Sequence, residues 1–391
     1  MPQTKANESR FVFSPSQLGD DVFQVVSFSG KEEISTTYSF SLLLVSEEPD
    51  VDISNLINQP ATLTVDRDGA PVPICGIVTE VSEKGRAGDY YSYEAEIKPR
   101  LWRLSLTKHS RIFQEMSVEE IITEVLKENS LSTSDFKFDL SGSYAPRTYC
   151  VQYEESDLAF IQRLMAFEGI SYHFDHTSRN DVVVMVDDRS ARSMIGGETT
   201  LRFAGGAGLV RDRSEHVESF AYKQEITTGK VTLKDYNYET PDTDLQVEEE
   251  IDSDMPGEIY SYGAKYSEAG QGKRIATVRA EEASCRQKTF TGMSDCAGLI
   301  TGFTFTLGGH YREDLNEDYL ITRVEHEGSQ QQALGLAGLN LPGVSPYSDG
   351  SSGGSGDGAA RESVYRNTFK AVPASVSFRP TYDEKNRPDV P

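Results

Sequence analysis

From Phe11 to Trp102 apolar and polar residues alternate in short runs broken by turn formers, as in Phe23-Gln24-Val25-Val26-Ser27-Phe28 and Tyr38-Ser39-Phe40-Ser41-Leu42-Leu43-Leu44-Val45. Successive side chains on a strand point to opposite faces, so a period of two builds half-buried strands and leaves little room for helix. The runs Ala61 to Val65, Cys75 to Val81 and Tyr90 to Ile97 follow. Between them Asp66-Arg67-Asp68-Gly69 and Lys84-Gly85-Arg86-Ala87-Gly88 supply the positive-φ positions that tight hairpins need. About six strands in a hundred residues predict a small antiparallel barrel or sandwich.

The period changes at Ser117. Ser117-Val118-Glu119-Glu120 offers a hydroxyl to cap free amides and Glu120 three places on, a capping box. Val118, Ile121, Ile122, Val125 and Leu126 then share one helical face, a stripe worth on the order of 10 kcal/mol as an upper estimate if fully buried. Asn129 and Ser130 end this helix. A second helix fits Asp157 to Glu168, capped by Ser156, with Leu158, Ile161, Leu164 and Met165 on one face and Gly169 at the left-handed stop. The strands Tyr149 to Tyr153, Ile170 to Phe174 and Val182 to Val186 bracket it, so this region reads as an α+β unit.

From about residue 215 strand patterning returns in His216 to Gln224, Lys230 to Asp235, Phe303 to Leu307 and Tyr319 to His326, with a helix expected from Gly272 to Lys288. Residues 348 to 358, Ser-Asp-Gly-Ser-Ser-Gly-Gly-Ser-Gly-Asp-Gly, bury nothing and read as a flexible linker. The tail beyond Phe378 reads as a connector without a core of its own. The expected organisation is therefore a first barrel-like β domain over 1–105, an α+β domain over 106–214, a second barrel-like β domain with a helix over 215–345, and a loop and connector over 346–391. The fold class is mainly β with an α+β insertion.

Acidic residues outnumber basic ones by 62 to 38, a formal charge of −24, which repels nucleic acid and anionic membrane surfaces. Neither is expected as a partner, and the acidity is read as solubility ahead of a specific basic partner. No apolar run near the N-terminus is long enough for a signal peptide, and none elsewhere reaches the ~18 residues of a membrane span. The chain is expected to start in the cytoplasm. Cys75, Cys150, Cys285 and Cys296 are far apart and lack C-x-x-C spacing, so reduced, buried thiols are expected.

Other candidate chemistry is thin. His173 and His176 lie on a strand where a separation of three sends them to opposite sides, and no third ligand is near, so they read as exposed or hydrogen-bonded histidines. The run Glu248-Glu249-Glu250-Ile251-Asp252-Ser253-Asp254 lacks the spaced calcium loop and reads as solvated charge. Gly205-Gly206-Ala207-Gly208 and Gly270-Gln271-Gly272-Lys273 lack phosphate-loop spacing and read as turns. Cys150 sits in a strand as a packed thiol, and no G-x-S-x-G occurs. No catalytic, cofactor or metal site is expected, and no interface residue is singled out.

Specific motifs then point to a family. Ser110-Arg111-Ile112-Phe113-Gln114 with Ser117 to Leu126, and above all Cys150-Val151-Gln152-Tyr153-Glu154-Glu155-Ser156-Asp157-Leu158 through Glu168-Gly169-Ile170, resemble passages of the VgrG family of type VI secretion spike proteins. Phe28-Ser29-Gly30-Lys31-Glu32, Gly76-Ile77-Val78-Thr79, Arg100-Leu101-Trp102, Val231-Thr232-Leu233-Lys234-Asp235-Tyr236, Tyr365-Arg366-Asn367-Thr368-Phe369 and Phe378-Arg379-Pro380 match in order along the chain. The resemblance implies a phage-tail-hub-like body of two barrel-like domains. It further implies a homotrimer seated on a hexameric Hcp tube among baseplate proteins, cytoplasmic during assembly and then secreted or injected. It places the end of the chain about where an OB-fold and needle would begin. The runner-up readings are a phage or related contractile-injection baseplate hub and, from another class, a cell-wall hydrolase whose carboxylate pair sequence alone does not reveal.

Overall fold

The computed structural model describes residues 10–66, 71–205, 215–331, 334–336, 339, 341–342 and 364–383. The turn residues Arg67 to Gly69, the glycine run Gly206 to Gly208, the segment 348–358 and the last residues of the tail lie outside the described residues. The first six strands are β1 (Phe11–Pro15), β2 (Gln24–Glu33), β3 (Ser39–Ser46), β4 (Pro60–Val65), β5 (Val72–Ala87) and β6 (Tyr90–Lys98). They pair in the order β1-β4-β5-β6-β3-β2, all antiparallel. The alternation that predicts them is the burial pattern they show: Phe11 and Phe13 of β1, or Phe40, Leu42 and Leu44 of β3, face inward. The segment Lys84 to Gly88 is not one turn. β5 runs to Ala87, Gly85 with φ 133° sits at a register shift within the strand, and the chain reverses only at Gly88 and Asp89.

An α+β unit follows, made of β7 (Lys108–Phe113), α1 (Val118–Glu128), β8 (Phe136–Asp139), β9 (Cys150–Ser156), α2 (Asp157–Glu168), β10 (Ser171–Asp175) and β11 (Val182–Val186). The Ser117–Glu120 capping box is present at α1, and all five residues of the expected stripe are buried. The α2 helix spans the expected residues, starts on the Ser156 hydroxyl and stops at Gly169 in the left-handed region. The cores of both helices and of the first six strands form one continuous apolar cluster.

Strands β12 (Thr200–Phe203), β13 (His216–Gln224), β14 (Lys230–Asp235), β15 (Leu245–Glu250) and β16 (Glu258–Tyr262) lead into α3 (Ala269–Ser284), and β17 (Lys288–Ser294), β18 (Thr304–Gly308), β19 (Asp318–Ser329) and β20 (Val364–Pro373) complete the fold. Six of these pair as β19-β18-β12-β13-β17-β20, and β20 returns to β19, closing a six-stranded barrel around Phe220, Phe290, Phe305, Tyr319 and Phe369. The observed architecture is thus mainly β, with two six-stranded units of which the second is fully closed. The α3 helix begins and ends earlier than its pattern predicts, and Lys288 opens a strand. Gly270 to Lys273 is accordingly the first part of a helix, not a turn. A Cβ on Gly272 would come within 2.5 Å of the Tyr266 ring, so glycine is what lets the helix approach that ring.

Candidate functional site: a locked seam between two six-stranded units

The histidines and cysteines singled out in the sequence are buried. His176 accepts the Cys75 amide at Nδ1 (3.2 Å), and its ring lies against Tyr38. His173 faces the other way, onto Phe303 and Arg192. Burial pushes both imidazoles down, His173 to about 3 with the Arg192 charge adding to the effect. Both are hydrogen-bonded core histidines, and neither is exposed. All four cysteines are buried and outside any disulfide, and burial raises the Cys150 thiol against the pull of Arg147. Glu248 and Glu250 of the acidic run stand exposed on β15, while Glu249 pairs with Lys273. Among the described residues no group of three or more His, Cys, Asp or Glu side chains converges as metal ligands do.

The long motif from Cys150 to Ile170 folds into a polar knot. Asp157, wholly buried at the start of α2, accepts from Gln152 (2.8 Å), Asn129 (2.8 Å) and Arg111 (3.2 Å), and lies 3.0 Å from His109 Nδ1. Burial would raise its carboxyl, but the bonds from Gln152, Asn129 and His109 hold it below the usual range. Four elements meet there: β7, the end of α1, β9 and α2. Arg100 does the same at the end of β6, binding Asp181 (2.6 Å), Asp135 (2.9 Å) and Asn180 (2.5 Å). Asp157 and Arg100 thus hold elements together.

The strongest constellation joins the two six-stranded units. Residues Ser27 to Glu33 of β2 pair antiparallel with Arg323 to Ser329 of β19, so one sheet runs from the first unit into the second. Beside that ladder Glu32 lies 2.7 Å from His326 Nε2 and accepts from the Thr301 amide (3.1 Å) and hydroxyl (2.8 Å). His326 Nδ1 lies 2.7 Å from the Tyr365 hydroxyl, which accepts from Asn367 (3.1 Å). Asn367 donates to Tyr365, and the two ring nitrogens of His326 bridge the Tyr365 hydroxyl and the Glu32 carboxylate. Burial would raise Glu32, yet His326 and Thr301 together hold it below its ordinary value. The order carboxylate, imidazole, hydroxyl is that of a hydrolytic relay, but here the hydroxyl is a phenol pushed well up by burial and only 4% exposed.

A second device lies just past β19. The Gln330 side chain, 1% exposed, accepts the Phe11 amide at 3.0 Å and donates to the carbonyls of Phe11 (2.9 Å) and Val25 (2.7 Å). Those groups face across the gap between β1 and β2, which no strand pairing bridges among the described residues. A side-chain amide from the second unit takes the place of a strand rung. The motifs containing Glu32, Tyr365 and Asn367 were visible in the sequence, but no local signal marked His326 or Gln330, which act across about 300 residues of chain.

An open cleft also lies between α2, the β2–β3 turn, the wall of the closed barrel and the segment from Phe378 to Asp383. Glu155, Arg163, Lys223, Arg286 and Lys370 line it, a mixed-charge surface typical of a polar rim.

Comparison with known proteins agrees with this geometry. Residues 31–332 match the model of the family described as phage tail baseplate hub (GPD). The type VI secretion system spike protein VgrG5 of Pseudomonas aeruginosa is 34% identical over 98% of this chain, which covers 47% of that protein. The chain thus spans about half the length of the curated relatives it matches. Among solved structures, the Escherichia coli type VI secretion component c3393, described as similar to the T4 tail proteins gp27 and gp5, superposes with a TM-score of 0.66 at 21% identity, over 95% of this chain and 79% of that one. A tail protein of Neisseria meningitidis gives 0.61 at 9% identity, over 94% and 98% respectively, a likeness of fold alone.

Proposed function

The chain belongs to the phage tail baseplate hub family, and from that footing and its likeness to VgrG spike proteins we propose that it is the structural hub of a type VI secretion spike. Three copies form a ring, the ring seats on the hexameric Hcp tube, and the body links tube to needle for contractile injection. It assembles in the cytoplasm with baseplate proteins, leaves through the apparatus, and catalyses no reaction.

The observation that carries this reading is the fusion of two six-stranded units in one chain through β2 and β19. A threefold body meets a sixfold ring evenly only when each subunit offers two similar surfaces at a fixed spacing. The seam supplies the fixed spacing: a continuous ladder, a buried polar chain and an amide strap resist hinge motion between the units. The greater identity to secretion spike proteins (34%) than to a prophage tail protein of Shewanella oneidensis (11%) favours the Hcp tube over a phage tube.

Light scattering of the purified chain, alone and joined to the C-terminal half of a spike relative, tests the ring, with three copies expected in at least the joined form. Cosedimentation with purified Hcp rings tests the seat. A monomer in both forms, or a trimer that ignores Hcp, would sink the proposal. Turnover of peptidoglycan fragments by the chain would replace the structural reading with the hydrolase one.

A further inference from the structure

The two six-stranded units repeat one plan. β2, β3, β6, β5 and β4 pair in that order, all antiparallel, and β13, β17, β20, β19 and β18 pair in the same order and the same sense. Only the sixth strands differ, β1 running antiparallel to β4 while β12 runs parallel to β18. The irregularities recur as well. Register shifts fall between Val25 and Ser27 on β2 and between Val217 and Ser219 on β13, then between Val78 and Glu80 on β5 and between Ile321 and Arg323 on β19. Just before the latter pair of shifts, Asn58 and Gly302, with φ 63° and 86°, donate their amides to the carbonyls of Val78 (2.8 Å) and Ile321 (2.9 Å). A bulge is a specific feature of a fold, so these coincidences match the units residue by residue. The sequence echoes the match: Val25-Val26-Ser27-Phe28 against Val217-Glu218-Ser219-Phe220, and Ile77-Val78-Thr79-Glu80-Val81 against Leu320-Ile321-Thr322-Arg323-Val324.

The seam within the chain joins β2 beyond its shift, Ser27 to Glu33, to β19 beyond its shift, Arg323 to Ser329. The matching stretches of the other two strands are β13 from Ser219 and β5 from Glu80. Among the described residues the first has only β17 beside it, since β12 reaches no further than His216 and Val217. The second has only β6, since β4 ends its pairing at Ile77. Each unit thus carries one edge used in the seam and one edge of the same construction left over. Side chains tell the same story. Glu32, Val324 and His326 are buried where the seam covers them, whereas their counterparts Gln224 and Glu83 are exposed and Val81 is half-buried.

We propose that β13 of one copy pairs antiparallel with β5 of a second copy, repeating between chains the joint that β2 and β19 make within one. The inference rests on the ring reading above and names the contact that closes the ring. Three chains supply six units in alternation, and six like units meet evenly only if every joint has the same form. Passing along the chain, the first unit offers its β2 side to the β19 side of the second; passing to the next copy, the second unit offers its β13 side to the β5 side of a first unit. Carrying the seam's register across sets Glu80 against Glu225, Val81 against Gln224, Ser82 against Lys223 and Glu83 against Tyr222, as far as the further shift on β5 at Gly85. One pair in this ladder is of like sign: Glu80 meets Glu225 where the seam has Arg323 against Glu33.

The test is a disulfide placed by that register. Chains carrying Ser82→Cys and Lys223→Cys together, alone and joined to the C-terminal half of a spike relative, are oxidised mildly and run on a non-reducing gel. Directly opposed residues of an antiparallel pair lie about 5 Å apart at Cα, within reach of a disulfide. The four native cysteines are buried and stay out of the reaction. Bands of two and three linked chains are expected, absent from either single variant and at least about tenfold fainter for Ser82→Cys with Ser219→Cys, which lies four residues out of register. Glu80→Arg, which restores the charge order of the seam, is expected to tighten association at least about twofold in sedimentation. Three-copy particles that form without the Ser82–Lys223 link, an equal link out of register, or no gain from Glu80→Arg would overturn this contact and leave the hub reading standing. A chain that stays single in both forms would overturn both.

Discussion

Replacing Gln330 by Met isolates the amide strap, because the two side chains are close in size and the site stays filled. The change removes three hydrogen bonds and strands the Phe11 amide, itself in a residue 1% exposed, together with the carbonyls of Phe11 and Val25. An orphaned buried donor costs about 1–3 kcal/mol and each of the two other lost bonds about 1 kcal/mol, so the total loss is about 3–5 kcal/mol. Guanidinium titration should show that loss, and hydrogen exchange should place it, with amides of Phe11 to Ser14 losing protection first. Gln330→Glu should be worse, since it sets a carboxylate against two carbonyls. If Gln330→Met cost under about 1 kcal/mol and left β1 protection unchanged, the strap would be mere packing.

Three further outcomes follow from the same geometry. Glu32 is held below its ordinary 4.5, so the stability it contributes is complete above that value and is lost as the pH falls through the lowered one; Glu32→Gln should flatten this acid limb in urea melts taken across pH and cost about 2–4 kcal/mol at neutral pH. Gly302 has φ 86° and a Cβ there would come within 2.2 Å of the His173 ring, so Gly302→Ala should cost more than about 2 kcal/mol by calorimetry, whereas Gly88→Ala, at φ 63° in open space, should cost about 1 kcal/mol. The four cysteines should resist a thiol reagent in the native state and react fully in denaturant, and rapid native labelling of any one would contradict the packing.

What could be read in the sequence was whatever depends on near neighbours. Ser117 with Glu120, and Ser156 with Gly169, announce two helices because a cap and a stop lie within one turn of the residues they serve. The α3 helix was misplaced at both ends because Glu268 makes no side-chain cap and no glycine follows Cys285, so only periodicity spoke, and periodicity blurs at ends. Strand β17, of which the expected helix takes only Lys288, has no counterpart among the expected strands. The motif residues were legible as marks of kinship, but their work was not: Asp157 or Glu32 could as well have been exposed carboxylates until their partners arrived from distant segments. Those partners, Asn129 for one and His326 for the other, have no local signature.

The pairing of β2 with β19 also sets a timetable. Glu33 meets Arg323, about 290 residues later, so a ribosome adding about 5–20 residues per second leaves the β2 edge without its neighbour for roughly 15–60 seconds. Through that interval a nascent strand could be captured by another chain. Lys31 and Glu33 stand along that edge, and their charges make it a poor template for strangers while leaving it open to its own late partner.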